Sequence, residues 1–119
     1  MLKALKKYIP AGGFESSSGL TREFSDFYRE FAREIKKELK KAKATEITVK
    51  RGHFDAGGFY KVGDQWYYFS LPDVRCIAFG DDDPSLLYRT VEGPRDYTGG
   101  RNNYIKMTED MFLRIHGGN

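Results

Sequence analysis

Cysteine is nearly missing from this chain. Cys76 is the only one in 119 residues, so no internal disulfide can form, and a reducing compartment is expected. Histidine is almost as scarce, with His53 and His116 alone. Zinc takes roughly three or four nitrogen or sulfur ligands. His53-Phe54-Asp55 supplies two potential ligands and Cys76 stands apart, so no metal site is expected. No apolar run approaches the roughly 20 residues of a membrane span, and Met1 to Ile9 lacks the apolar stretch of a signal peptide. Internal repeats and linkers are missing as well. These absences leave a soluble, cytoplasmic single domain over 1–119 as the expectation.

Catalytic constellations are equally thin. Cys76 with His53 or His116 would make a nucleophile–base pair, but Cys76 sits inside the apolar run Val74 to Phe79, where a buried, inert thiol is the usual outcome. Asp81-Asp82-Asp83 offers carboxylates to a cation. It lacks the spacing and glycine of a calcium loop, and before Pro84 it reads as a turn. No catalytic residue, metal or cofactor is assigned, and the chain is read as a non-enzyme.

Aromatic residues are abundant, at 15%, beside 31% charged. The densest stretch is Gly58-Phe59-Tyr60-Lys61-Val62, Gly63-Asp64, then Gln65 to Leu71. Two aromatic runs around a two-residue Gly-Asp loop read as a β-hairpin. Such a loop fixes the register: Val62 faces Gln65, Lys61 faces Trp66, Tyr60 faces Tyr67 and Phe59 faces Tyr68. Alternation then puts Tyr60, Val62, Tyr67, Phe69 and Leu71 on one face, the better core face. Phe59, Lys61, Trp66, Tyr68 and Ser70 share the other, with Lys61 placed for a cation–π contact on Trp66. A second aromatic face is either covered by another element or forms a contact surface.

Around the hairpin, the first nine residues alternate apolar groups with lysine and read as a short amphipathic turn or a strand. Pro10 to Gly19 reads as a loop. Leu20, Phe24, Phe27, Tyr28, Phe31, Ile35 and Leu39 recur at steps of three and four, which predicts one long helix over 20–44, capped by Thr21 or Ser18. Asp26–Arg29, Glu30–Arg33, Glu34–Lys37 and Glu38–Lys41 are spaced as acid-to-base pairs along it. Glu46 to Arg51 alternates as a strand, Asp55 to Gly58 reads as a turn, and Val74 to Phe79 and Leu86 to Val91 read as two more strands. Residues 92–107 read as a loop, and Thr108 caps a short helix over 108–116 that Gly117-Gly118 ends. The fold class is therefore α+β: one N-terminal helix on a curled antiparallel sheet of about five strands over 46–91, then a short helix. The order is similar to cystatin-like folds, an analogy that carries no function.

The loop after the last strand contains Arg95, Tyr97, Gly99, Gly100, Arg101, Asn102, Asn103 and Tyr104. Adjacent glycines allow backbone N–H groups close to an anion. Arginine supplies forked donors and tyrosine supplies stacking faces. No phosphate-loop motif is present. Long loops in compact domains tend to carry function.

Charge is split unevenly. Residues 1–45 carry +5 and residues 46–119 carry −2. This count places the basic charge on the N-terminal helix and away from the aromatic strands, which argues against a simple nucleic-acid surface.

The aromatic hairpin, the stretch Tyr97-Thr98-Gly99-Gly100-Arg101-Asn102-Asn103 and the single small α+β domain together give a chain that resembles, in style, small proteins of phages and mobile elements. Some of those resemble anti-CRISPR or other anti-defence inhibitors, which act by binding. The resemblance implies an inhibitor or modulator of a protein or protein–nucleic-acid complex. From the residues themselves, the contact surface combines Phe59, Lys61, Trp66 and Tyr68 with Arg95, Tyr97, Gly99, Gly100, Arg101, Asn102, Asn103 and Tyr104, because Trp, Tyr and Arg dominate interface energies. One alternative is a single-stranded nucleic-acid-binding module, with phosphates on Lys50, Lys61, Arg95 and Arg101 or on the helix-end lysines. The other is an enzyme acting on a small nucleotide or phosphate ligand at Gly99-Gly100. An uncovered aromatic face also suits a homodimer.

Overall fold

The computed structural model describes residues 2–8, 22–52, 55–73 and 84–117. The sequence-based strand at Val74 to Phe79 with Cys76, the Asp81–Asp83 turn, His53, the Pro10 to Gly19 loop and the Thr21 and Ser18 caps lie outside these residues.

Apolar side chains at helical spacing must find a common partner, and they build the core. Helix α2, Arg22–Lys41, fully buries Phe24, Phe27, Phe31, Ile35 and Leu39. Each such side chain contributes about 1.5–3 kcal/mol on burial. The rings stack along the helix, Phe27 on Phe31 at 4.9 Å between centroids. Lys43 takes a left-handed φ of +66° just past the helix end. Ala44 N–H then donates to Leu39 O and Lys43 N–H to Lys40 O, which satisfies the last carbonyls.

The first residues form a helix, α1, Lys3–Tyr8, with Leu2 and Leu5 buried against α2. This packing redirects two acids of α2. Glu34 accepts hydrogen bonds from the Lys3 and Ala4 backbone N–H groups at 2.7 and 2.9 Å, so it caps α1 instead of pairing with Lys37. Glu30 receives Tyr8 and Lys7 instead of Arg33, and those two donors hold its carboxyl below the ordinary range. Only Asp26–Arg29 and Glu38–Lys41 form the expected pairs within the helix.

The sheet is one antiparallel meander of five strands in chain order. Its strands are β1 Thr45–Arg51, β2 Asp55–Val62, β3 Gln65–Pro72, β4 Ser85–Val91 and β5 Asn103–Lys106. The β2–β3 register is the one that the two-residue loop dictates, from Val62↔Gln65 to Phe59↔Tyr68. Tyr60, Phe69, Leu71 and Leu86 fill the inner face against α2. Two boundaries differ from the sequence reading. Asp55 to Gly58 is strand, not turn, because Gly57 and Gly58 pair with both β1 and β3. Asn103 to Lys106, inside the expected loop, pairs with β4 as an edge strand.

The closing helix α3, Met111–Ile115, lays Met111 and Phe112 into the core. Thr108 does not cap it with its side chain. The Thr108 hydroxyl donates to Asp110 at 2.7 Å, and its carbonyl accepts from Met111 N–H. No helix among the described residues is long and apolar enough to cross a membrane.

His116 follows α3 and carries a pH prediction. Its Nε2 lies 2.7 Å from the Tyr60 hydroxyl, and the Tyr60 and Tyr67 rings meet the imidazole edge-on. Burial pushes the His116 pKa below its ordinary 6.5 and pushes that of Tyr60 upward. The folded state thus disfavours imidazolium. Above pH 6.5 both states hold neutral histidine and the full stability is present. As pH falls below 6.5 the unfolded chain takes up the proton first, and stability declines until the folded pKa is passed. Urea midpoints should therefore be lower at pH 5.5 than at pH 7.5, and His116→Gln should remove most of that difference. An undiminished difference in the variant would contradict the assignment.

Candidate functional site

The outer face of the sheet follows from the same register. Phe59 pairs with Tyr68 across β2–β3, Tyr68 with Arg89 across β3–β4, and Thr48 and Lys50 with Phe59 and Gly57 across β1–β2. Side chains at paired positions share a face, so aromatic and cationic groups meet here. Lys61 Nζ stands 5.8 Å from the Trp66 ring centre, and the Arg89 guanidinium 4.5 Å from that of Tyr68.

The loop 92–102 folds back over this face. Asp96 ties its tip: Glu92 N–H donates to one carboxylate oxygen at 3.0 Å, and the Thr98 N–H and hydroxyl donate to the other at 3.0 and 2.6 Å. These donors, with Glu92 N–H foremost, hold the Asp96 pKa below the usual carboxylate range. Arg89 latches the loop to β4. It donates to Tyr97 O at 2.6 Å, Thr98 O at 3.1 Å and Asn102 Oδ1 at 2.9 Å. Gly100 N–H donates to Thr90 O at 2.9 Å. Gly99 has a φ of +111°, and a Cβ there would lie 2.9 Å from both Thr90 O and Val91 Cγ1. Glycine is what lets the loop lie this close to the strand.

Tyr97 comes down beside Phe59 and Tyr68, edge-on at 5.3 and 6.1 Å. Phe59 is left only 5% exposed, while Tyr97 itself remains 62% exposed. The second aromatic face is therefore half covered, by the chain's own loop.

Between that loop and β1 runs a groove of about 470 Å³. Gly57 and Gly58 form its floor, Thr48 and Lys50 line one side, and Pro94, Arg95 and Tyr97 line the other. The floor is low because Gly57 has no side chain, and a Cβ there would meet Phe69 O at 2.7 Å. Asp55 and Arg51 stand at one end. Asp55 accepts a hydrogen bond from Ser70 Oγ at 2.8 Å, and Arg51 leans on the Phe24 ring. Among the described residues, Lys50 and Arg95 have no ion-pair partner. Arg95 holds a φ of +122°, strained for any residue with a Cβ. Strain of this kind costs roughly 1–3 kcal/mol and clusters at functional positions.

Of the residues expected from sequence, the structure gathers Phe59, Tyr68, Arg95 and Tyr97 at one groove. Lys61 and Trp66 lie farther along the same face. Tyr104 stands on β5 opposite Leu87 and is 65% exposed. Both Gly99 and Gly100 lie against β4, and the Gly100 N–H is bonded to Thr90 O. Asn102 serves Arg89, and Asn103 Nδ2 bonds Arg101 O at 3.1 Å. Thr48, Asp55, Gly57 and Arg89 were not singled out as binding residues from the sequence, whereas Lys50 was expected only as a phosphate contact of the nucleic-acid alternative. The alternation of Glu46 to Arg51 is the one sequence signal that points to Lys50 on the outer face.

The segment charge count also misplaces the cations. Lys50, Lys61, Arg89 and Arg95 all belong to the outer face or its loop, where they meet Asp55 at the end of the groove and Asp96, which is tied into its own loop. No family model matches the chain, and no curated protein or solved structure matches it.

Proposed function

We propose that this protein is a small non-enzymatic binding protein. It inhibits or modulates a protein–nucleic-acid complex by engaging it through the outer face of its sheet, as anti-defence inhibitors do. The observation that carries the reading is the groove. It is an open, glycine-floored cleft walled by aromatic rings and unpaired cations, on a face where a folded domain usually exposes scattered polar groups. Aromatic and arginine side chains in a partly desolvated cleft are the usual anchors of an interface. The helix α2 occupies the opposite face of the sheet, so its exposed lysines do not join this surface.

Cross-linking in an extract of the source cells, read by mass spectrometry, tests it. Trp66→Ala and Tyr97→Ala should each lose the captured complex while the fold persists by circular dichroism. Lys37→Ala, on α2, should keep it. Capture that survives both outer-face changes overturns the reading, and loss of the fold in Trp66→Ala would mark Trp66 as structural, leaving Tyr97→Ala to decide.

A further inference from the structure

The groove has the chemistry of a nucleotide subsite. We propose that it seats one nucleotide of a single-stranded polynucleotide. The base lies over Gly57 against the ring of Tyr97, and its phosphates sit on Lys50 and Arg95. This rests on the outer face being the contact surface and adds what that surface takes.

Four observations carry it. The volume, about 470 Å³, lies within the roughly 300–1,000 Å³ of small-ligand sites, which suits one flat ring with its sugar and not a folded partner's helix. The floor lacks side chains, so a planar group can reach the backbone. Tyr97 is 62% exposed yet is fixed in place by the edge-on contacts to Phe59 and Tyr68 and by the latch from Arg89 to its carbonyl. Its ring is a ready stacking surface, and bases stack on such rings irrespective of sequence. Finally, Lys50 from β1 and Arg95 from the loop both line the cleft. Two cations without an ion-pair partner among the described residues, lining an aromatic cleft, complement a phosphate backbone. Asp55, at the end of the groove, has a carboxylate that can accept N–H groups from the edge of a base, as carboxylates do in base recognition.

The strain at Arg95 sharpens the test. Glycine adopts a φ of +122° at no steric cost, so Arg95→Gly removes the guanidinium and relaxes the backbone together. Affinity should fall while stability does not.

The probe is a fluorescein-labelled mixed-sequence 12-mer, as DNA and as RNA, followed by anisotropy in 50 mM salt. Binding of either is expected and identifies which polynucleotide the groove accepts. Affinity should weaken steeply between 50 and 200 mM salt. Tyr97→Ala should weaken it roughly ten-fold. Arg95→Gly should weaken it several-fold and lower the slope of log affinity against log salt by about one, with an unchanged or higher melting temperature. Lys37→Ala should leave affinity as it was. No binding of either 12-mer overturns the proposal, and so does binding that Tyr97→Ala and Arg95→Gly leave intact. If neither 12-mer binds but the cross-linked complex still depends on Trp66 and Tyr97, the outer face stands as the contact surface and only the nucleotide assignment falls.

Discussion

Replacing Gly58 with alanine should lower the stability of this protein by about 3 kcal/mol or more, the upper end of the overpacking range. Gly58 pairs with Val49 of β1, and a Cβ built on it would stand 2.0 Å from Thr48 O and 2.8 Å from Thr48 C. Both are backbone atoms, so no side chain can swing aside. The close approach arises at the irregularity between Thr45 and Thr48. Glu46 takes a φ of +53° there, and the Thr48 hydroxyl accepts the Phe59 N–H at 3.2 Å. Alanine at 58 must push β1 off the sheet, opening the side of the groove that carries Thr48 and Lys50. Gly63→Ala is the comparison. Gly63 has a φ of +59° and nothing within 4 Å of its would-be Cβ, so only the left-handed penalty of roughly 1–2 kcal/mol applies. Urea unfolding of both variants measures the difference. A Gly58→Ala protein no less stable than Gly63→Ala would refute the close contact.

Arg89→Ala should collapse the candidate site without unfolding the domain. One guanidinium makes three hydrogen bonds to the loop and covers Tyr68. Bonds to a charged donor are worth roughly 1.5–3 kcal/mol when well shielded, and these are exposed, so the global loss should be small. The local loss is large, because among the described residues only Arg89 fastens the Tyr97 and Thr98 carbonyls to β4. Hydrogen exchange should show Thr98 to Gly100 losing protection while β2 and β3 keep theirs. Affinity for the outer-face ligand should drop at least as far as in Tyr97→Ala, since Tyr97, Arg95 and Pro94 all move with the loop. Arg89→Lys should behave like the alanine variant, because a single ammonium cannot fork to two carbonyls. Retained amide protection over 98–100 in Arg89→Ala would show that the Asp96 tie and the Gly100–Thr90 bond order the loop without the guanidinium.

Three features were legible in the residues because each is set by local rules. The hairpin register followed from a two-residue loop, the long helix from apolar steps of three and four, and the inner face from strict alternation. The misreadings have a common cause. Gly57-Gly58 has the local preferences of a turn, yet paired neighbours on both sides hold it extended. Asn103 to Lys106 is too short and polar to announce a strand, and becomes one because β4 offers an open edge. Glu30 and Glu34 have basic residues three positions on, but α1 brings backbone N–H groups and the Tyr8 and Lys7 donors to them instead.

An α+β domain, its hairpin and the two aromatic faces could be read from the residues, since periodicity and turn chemistry act over a few positions. That the loop folds over one of those faces emerges from the packing of distant segments, and so does the cleft. Strand pairing and the loop's return bring Lys50 and Arg95, forty-five positions apart, to the lining of one cleft floored by glycine. Net charge counted along a segment says nothing of this, because the pairing of strands, not proximity in the chain, chooses which side chains share a surface.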